Sequence, residues 1–157
     1  MNLIINTEQF QPFFVSFLER KPNMIIDGVF SKILYTTNHF ITNGIYIQFP
    51  INPLITKNST NELEFDPIKN KQLINYFIAI EKKILQLYQQ FFQLPNKHFV
   101  YDIETKLSSG SCKIYPSSHY QKYTGGSSAT YYIKIAGIWE TEQKLGLTYK
   151  IIEYHSK

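Results

Sequence analysis

One cysteine in 157 residues, Cys112, leaves no partner for an internal disulfide and no thiolate set for a zinc cluster. So little cysteine fits a reducing, intracellular compartment. The opening stretch MNLIINTEQFQPFF has neither a basic n-region nor a long apolar run, so no signal peptide is expected. No apolar run reaches the roughly 18 residues of a helical membrane span, and no membrane partner is expected. Arginine is equally scarce: Arg20 stands alone among 16 basic residues. Bidentate reading of base edges in a duplex groove draws on arginine, so sequence-specific duplex recognition is not expected.

Enzyme signatures are missing as well. There is no Gly-rich phosphate loop, no G-x-S-x-G and no metalloprotease helix motif. The 4 histidines, His39, His98, His119 and His155, are scattered, none at ligand spacing to another. Cys112 with His98 or His119 would make a thiol–imidazole couple, but nothing in the sequence orients one, and the thiol reads as inert. Asp102 and Glu104 alternate onto one face of an expected strand, where solvated acids are the ordinary reading rather than a catalytic pair. No catalysis, cofactor or metal is expected.

What the chain does have is aromatics and lysine. It carries 12 Tyr, 12 Phe and 1 Trp, with a net charge of +4. Phenylalanine serves a core, but 12 phenols are more than a small core readily supplies with hydrogen-bond partners, so some should meet solvent or a ligand. The charge is uneven. Residues 97–157 hold eight Lys against five acids, a net of +3, whereas residues 1–96 net only +1. That balance suggests a polyanionic partner.

The length suits one domain spanning 1–157. Residues 7–20 read as a short helix interrupted by Pro12. Alternation over 29–35 and again over Ile45–Phe49 reads as a strand pair, followed by a Pro-rich loop. The clearest element is a helix over about 67–94, started by Asp66-Pro67 and stopped by Pro95. Within it Leu73, Phe77, Ile80, Ile84, Leu87, Phe91 and Leu94 form a heptad seam. Such a stripe packs the helix on the sheet, or in the alternative docks a second copy or another protein. After Pro95, Phe99, Tyr101, Ile103 and Leu107 share the face of an expected strand. A short strand follows around Cys112–Tyr115, then a Ser/Gly-rich loop. Residues 130–154 read as a hairpin in which Tyr131, Ile133, Ile135 and Trp139 share one face and Tyr132 and Lys134 the other. The expected fold is mostly β (α+β), an OB-like antiparallel barrel with one long helix between strands.

Lysine and tyrosine interleave in CKIYPSSHYQKYTGGSSATYYIK, through Lys113, Tyr115, Tyr120, Lys122, Tyr123, Tyr131, Tyr132 and Lys134. Single strands expose base faces on which rings stack, and ammonium groups beside them neutralise phosphates. Exposed lysines in a tyrosine-rich loop are the bland alternative.

The run YYIKIAGIWETEQKLGLTYKII, with SGSCKIY upstream, resembles the C-terminal signature of single-stranded DNA-binding proteins of large nucleocytoplasmic DNA viruses, an OB-fold family related to phage replication proteins. The matching residues are Gly137, Ile138, Trp139 and Glu140, then Gly146, Leu147, Thr148, Tyr149 and Lys150. The likeness covers roughly residues 108–152. It implies an OB barrel, coating of single-stranded DNA in replication or recombination, no catalysis, and a host cytoplasm or nucleus. One departure is IIEYHSK, where phage and bacterial relatives often carry an acidic tail. The expected contacts are Lys113, Lys122, Lys134 and Lys150 to phosphates, with Tyr115, Tyr123, Tyr132 and Trp139 stacking on bases. DNA is expected over RNA, and a homodimer or virion contact through the 67–94 helix is the rival.

Overall fold

A computed structural model describes residues 3–53, 61–117 and 129–155. In chain order they form β1 (Ile4–Asn6), a 3-10 turn (Pro12–Phe14), β2 (Val15–Phe17), β3 (Lys21–Pro22), β4 (Val29–Thr36), β5 (Ile41–Asn43), β6 (Ile45–Phe49) and β7 (Glu62–Glu64). Then come α1 (Lys71–Phe91), β8 (His98–Val100), α2 (Asp102–Ser108), β9 (Ser111–Pro116), β10 (Ala129–Glu140) and β11 (Lys144–His155).

The protein is mostly β, as expected, but the finer expectation needs correction. The main path of the sheet runs β1-β6-β10-β11-β9-β7 and is not closed into a barrel. Nor is it purely antiparallel: β1 runs parallel to β6, and β11 parallel to both β8 and β9. Its spine is the β10–β11 hairpin, two strands of 12 residues each. One edge of β10 is shared between β6 (at 131–135) and β4 (at 137–140). The free edge of β11 is likewise shared between β8 (144–146) and β9 (151–153).

A β-bulge between Ile135 and Gly137 resets the alternation of β10. Tyr131, Ile133 and Ile135 face the core, and after the bulge so do Ile138 and Glu140. Trp139 therefore leaves the face on which strict period two placed it and joins Tyr132 and Lys134 on the other side. Gly137 permits the close approach there, because a Cβ at that position would collide with the Phe30 ring and the Ser31 carbonyl oxygen.

Helix α1 packs its apolar stripe, Ile74, Phe77, Ile80, Ile84, Leu85 and Tyr88, into the core. It is shorter than the expected 67–94. Asp66 does accept backbone hydrogen bonds, from Ile68 (2.8 Å) and Lys69 (3.4 Å), but these close a turn ahead of the helix. At the other end Gln93 takes a left-handed φ of 51°, and Leu94 N–H donates to Gln89 O at 3.0 Å, which stops the helix before Pro95.

Two other expectations are overturned. The stretch read as a helix from 7 to 20 is a 3-10 turn followed by β2, which pairs with β4. The strand expected through 98–107 ends at Val100, and α2 takes over. Ile103 and Leu107 suit period two, but they also lie one helical turn apart, and both are buried. A long-range partner favours the helix: Glu81 of α1, fully buried, accepts N–H bonds from Ile103 (2.9 Å) and Glu104 (3.0 Å) at the start of α2.

Glu140, 3% exposed, gathers helix α1 and two connecting segments. It receives hydrogen bonds from Tyr88 Oη of α1 (2.7 Å), Lys97 Nζ (2.7 Å) and Arg20 Nη1 (3.2 Å). Burial pushes its carboxyl upward, but the bonds from Lys97 and Tyr88 and the two positive charges outweigh that, leaving its pKa below the ordinary 4.5. For Glu81 burial prevails over its two backbone bonds, and its pKa lies above 4.5.

These shifts act on opposite sides of 4.5. The contribution of Glu140 is complete above that value and is lost as pH falls through its folded pKa. That of Glu81 is complete below that value and is lost as pH rises through its folded pKa. In urea denaturation across pH, Glu140→Gln should flatten the acid limb and lower stability at neutral pH by about 3 kcal/mol, since Lys97 and Arg20 lose their counter-charge. Glu81→Gln should flatten the limb above 4.5 instead. Unchanged slopes in both variants would contradict the assignment.

Candidate functional site

The sheet face turned away from the core is built by alternation on four neighbouring strands. On β10 and β11, Lys134 stands directly opposite Lys150, and Tyr132 opposite Ile152. On β9, Tyr115 lies beside Ile152, which places Lys113, two residues earlier, level with Lys150. On β6, Tyr46 lies opposite Lys134. Three lysines thus form a row across β9, β11 and β10. Strands are spaced about 4.8 Å apart, so the row spans about 10 Å at the backbone.

The ammonium groups are held over rings. Lys113 Nζ and Lys150 Nζ lie 5.1 and 4.9 Å from the Tyr115 centroid. Lys134 Nζ is 5.5 Å from the Tyr46 centroid, and that ring is 6.2 Å from Tyr132. Such contacts offset part of the repulsion between like charges. No carboxylate among the described residues forms an ion pair with Lys113, Lys134 or Lys150.

Six of the eight expected contact residues, Lys113, Tyr115, Tyr132, Lys134, Trp139 and Lys150, therefore share this face. Lys122 and Tyr123 lie outside the described residues, as does Tyr120. Tyr131 points inward against Phe49. The structure adds Phe30, Lys32 and Tyr46, which the sequence reading did not single out. Phe30 lies opposite Trp139, and Lys32 opposite Gly137. The alternation of Phe30 and Lys32 along β4 was visible. What no local pattern carries is that β4 and β6 pair with β10, about a hundred residues away.

Between β8 and β9 no strand among the described residues pairs with this edge of β11, and α2 lies beside the gap. A cleft of about 670 Å³ opens there, lined by Lys106, Lys113, Tyr115, Trp139, Thr148 and Lys150. Asp102, also in its wall, accepts the Tyr149 hydroxyl at 2.8 Å. Asp102 and Glu104 are thus α2 residues rather than a pair on a strand. Cys112 is buried beneath the cleft, and burial, with the Glu62 charge adding, pushes its thiol up to about 11, so it is not a thiolate at neutral pH. Among the described residues no group of three or more His, Cys, Asp or Glu is placed to hold a metal ion, and no helix is long and apolar enough to cross a membrane.

Trp139 forms the wall of this cleft because its neighbour is glycine. A Cβ on Gly146, directly opposite, would lie 2.6 Å from the indole Cζ2, so the ring rests on bare backbone. Family models, curated proteins and solved structures give no match to the chain. Gly146→Ala should lift the indole, shift the emission of this sole tryptophan and destabilise the fold by about 1–3 kcal/mol through overpacking. An unchanged spectrum and melting curve would refute that placement.

Proposed function

We propose that this outer face binds single-stranded nucleic acid, DNA rather than RNA, without reading its sequence. The observation that carries the reading is the directly opposed Lys134–Lys150 pair, with no ion-paired carboxylate among the described residues. Like charges facing each other across two strands destabilise a sheet. A bound phosphate backbone relieves that repulsion and releases its counterions in return. Tyr115, Tyr132 and Trp139 lie on the same face as stacking platforms for bases. Indifference to sequence is supported by the fate of the lone arginine. Arg20 is bound to Glu140, which leaves lysines, point charges suited to phosphate, on the face.

The likeness of the GIWE…GLTYK hairpin to viral single-stranded DNA-binding proteins supports a non-catalytic coating role in replication or recombination, in the cytoplasm or nucleus of a host. The rival reading, a homodimer or virion contact through the long helix, has little surface to use. Of the heptad seam only Phe91 is exposed, while Phe77, Ile80 and Ile84 are buried and Leu73, Leu87 and Leu94 pack against the core.

Titration with oligo-dT at two salt concentrations, followed by Trp139 emission and by anisotropy, tests the reading. Quenching at low salt that weakens at high salt is expected; no change at low salt rejects it. Lys150→Glu gives a sharper test, because the cross-strand pair becomes one of opposite charges. Stability should rise by about 0.5 kcal/mol. Affinity should fall, and the slope of log K against log salt should shrink by about 0.7 for each phosphate no longer neutralised. Unaltered binding in this variant would remove the lysine row from the interface.

A further inference from the structure

Beyond Trp139 the outer face continues into apolar ground. The connection from β3 to β4 carries the two most exposed large hydrophobic side chains among the described residues, Met24 at 95% and Ile25 at 93%. Hydrogen bonds hold this connection in shape. Asn23 N–H donates to Gly28 O at 3.0 Å, and Asn23 Oδ1 accepts from Ile25 N–H at 3.0 Å. Gly28 lies so close to β10 that a Cβ there would collide with the Glu140 carbonyl oxygen. The loop is thereby fastened to the sheet, with its apolar tips facing solvent.

Loop and sheet enclose a cleft of about 570 Å³, lined chiefly by Met24, Ile25, Ile26, Phe30 and Trp139. None of the described residues that line it carries a charge. Trp139 and Thr148 belong to both this cleft and the lysine-lined one, so the two form a continuous surface, with Lys106, Lys113 and Lys150 beside the acids Glu62 and Asp102 at one end and apolar side chains at the other. Large apolar side chains held in water beside an apolar groove mark a binding surface.

We infer that the apolar cleft is the nucleobase half of the interface. Bases of the strand whose phosphates follow Lys113, Lys150 and Lys134 enter between Trp139 and Phe30 on one side and Met24 and Ile25 on the other. This rests on the single-strand reading above. A phosphate has no cation to meet in this cleft, whereas a base presents two flat apolar faces to it. Among the described residues the polar side chains in the lining are Asn23, Thr141 and Thr148, and Asn23 Oδ1 is already engaged by its own loop. Bases are therefore held by stacking rather than by their edges, which suits a strand of any sequence.

The test is a double variant, Met24→Ser with Ile25→Ser, titrated with oligo-dT at two salt concentrations. Both side chains are exposed, so the melting temperature should not move. Affinity should fall about tenfold at each salt concentration, while the salt slope stays that of the parent, because every phosphate keeps its lysine. A second measurement is photocrosslinking of the parent protein to an oligonucleotide carrying 5-bromodeoxyuridine, with adducts expected on residues 24–30 or on Trp139. Parent-like affinity in the double variant, or adducts confined to β9 and β11, overturns the base cleft and leaves the lysine row standing. A parent protein that ignores oligo-dT removes both readings together.

Discussion

Glu140 is the point at which sheet, helix and the chain's only arginine are joined. A carboxylate this deeply buried is tolerable only with its full set of partners, since an unpaired charge out of water is strongly unfavourable. Tyr88, Lys97 and Arg20 supply that set from three separate parts of the chain. Their convergence fixes where α1 crosses the sheet and where the segment after β2 must lie. It also fixes the phase of β10. For Glu140 to face inward beside Ile138, the strand needs the extra residue at its bulge, and the same half-step turns Trp139 outward. The residue that holds the fold and the residue that walls both clefts are consecutive, and one irregularity sets both.

What was legible in the sequence follows from this. The β4 and β6 strands, the hairpin and the long helix announce themselves by local periodicity, because each buries one face along its own length. The outward residues Tyr132, Lys134 and Lys150 were legible for the same reason, since period two on the two arms of one hairpin gathers them, whereas Lys113 and Tyr115 join them only through the parallel β9–β11 pairing. Strict alternation groups Trp139 with Tyr131, Ile133 and Ile135, and the bulge instead sets it beside Tyr132 and Lys134. Helix α2 was hidden because Ile103 and Leu107 fit two periods equally well, and Glu81, which settles the matter, lies more than twenty residues upstream. Strand β7 was hidden by its acids: Glu62 and Glu64 look like loop residues until β9 pairs with them. Parallel pairings of β1, β8 and β9 leave no local trace at all.

The outer face combines two features that a fold selected for stability alone would avoid. Lysines oppose one another across the hairpin, and hydrophobic tips stand in water at the β3–β4 connection. Each has a local structural support, ring faces beneath the ammonium groups and Asn23 within the loop. These supports hold the groups in place without neutralising or covering them.

The hairpin has a consequence for how the molecule comes into being. Strands β4, β6, β8 and β9 all find a partner in β10 or β11, yet residues 129–155 are made after every one of them. During synthesis on the ribosome β4 and β6 can pair with β1, β2, β3 and β5, but the edges that meet β10 emerge open. The central sheet cannot assemble progressively from the N-terminal side, and must wait for its spine. Such late closure lengthens the interval in which sticky edges are open to neighbouring chains. Those edges are covered only once residues 129–155 have emerged.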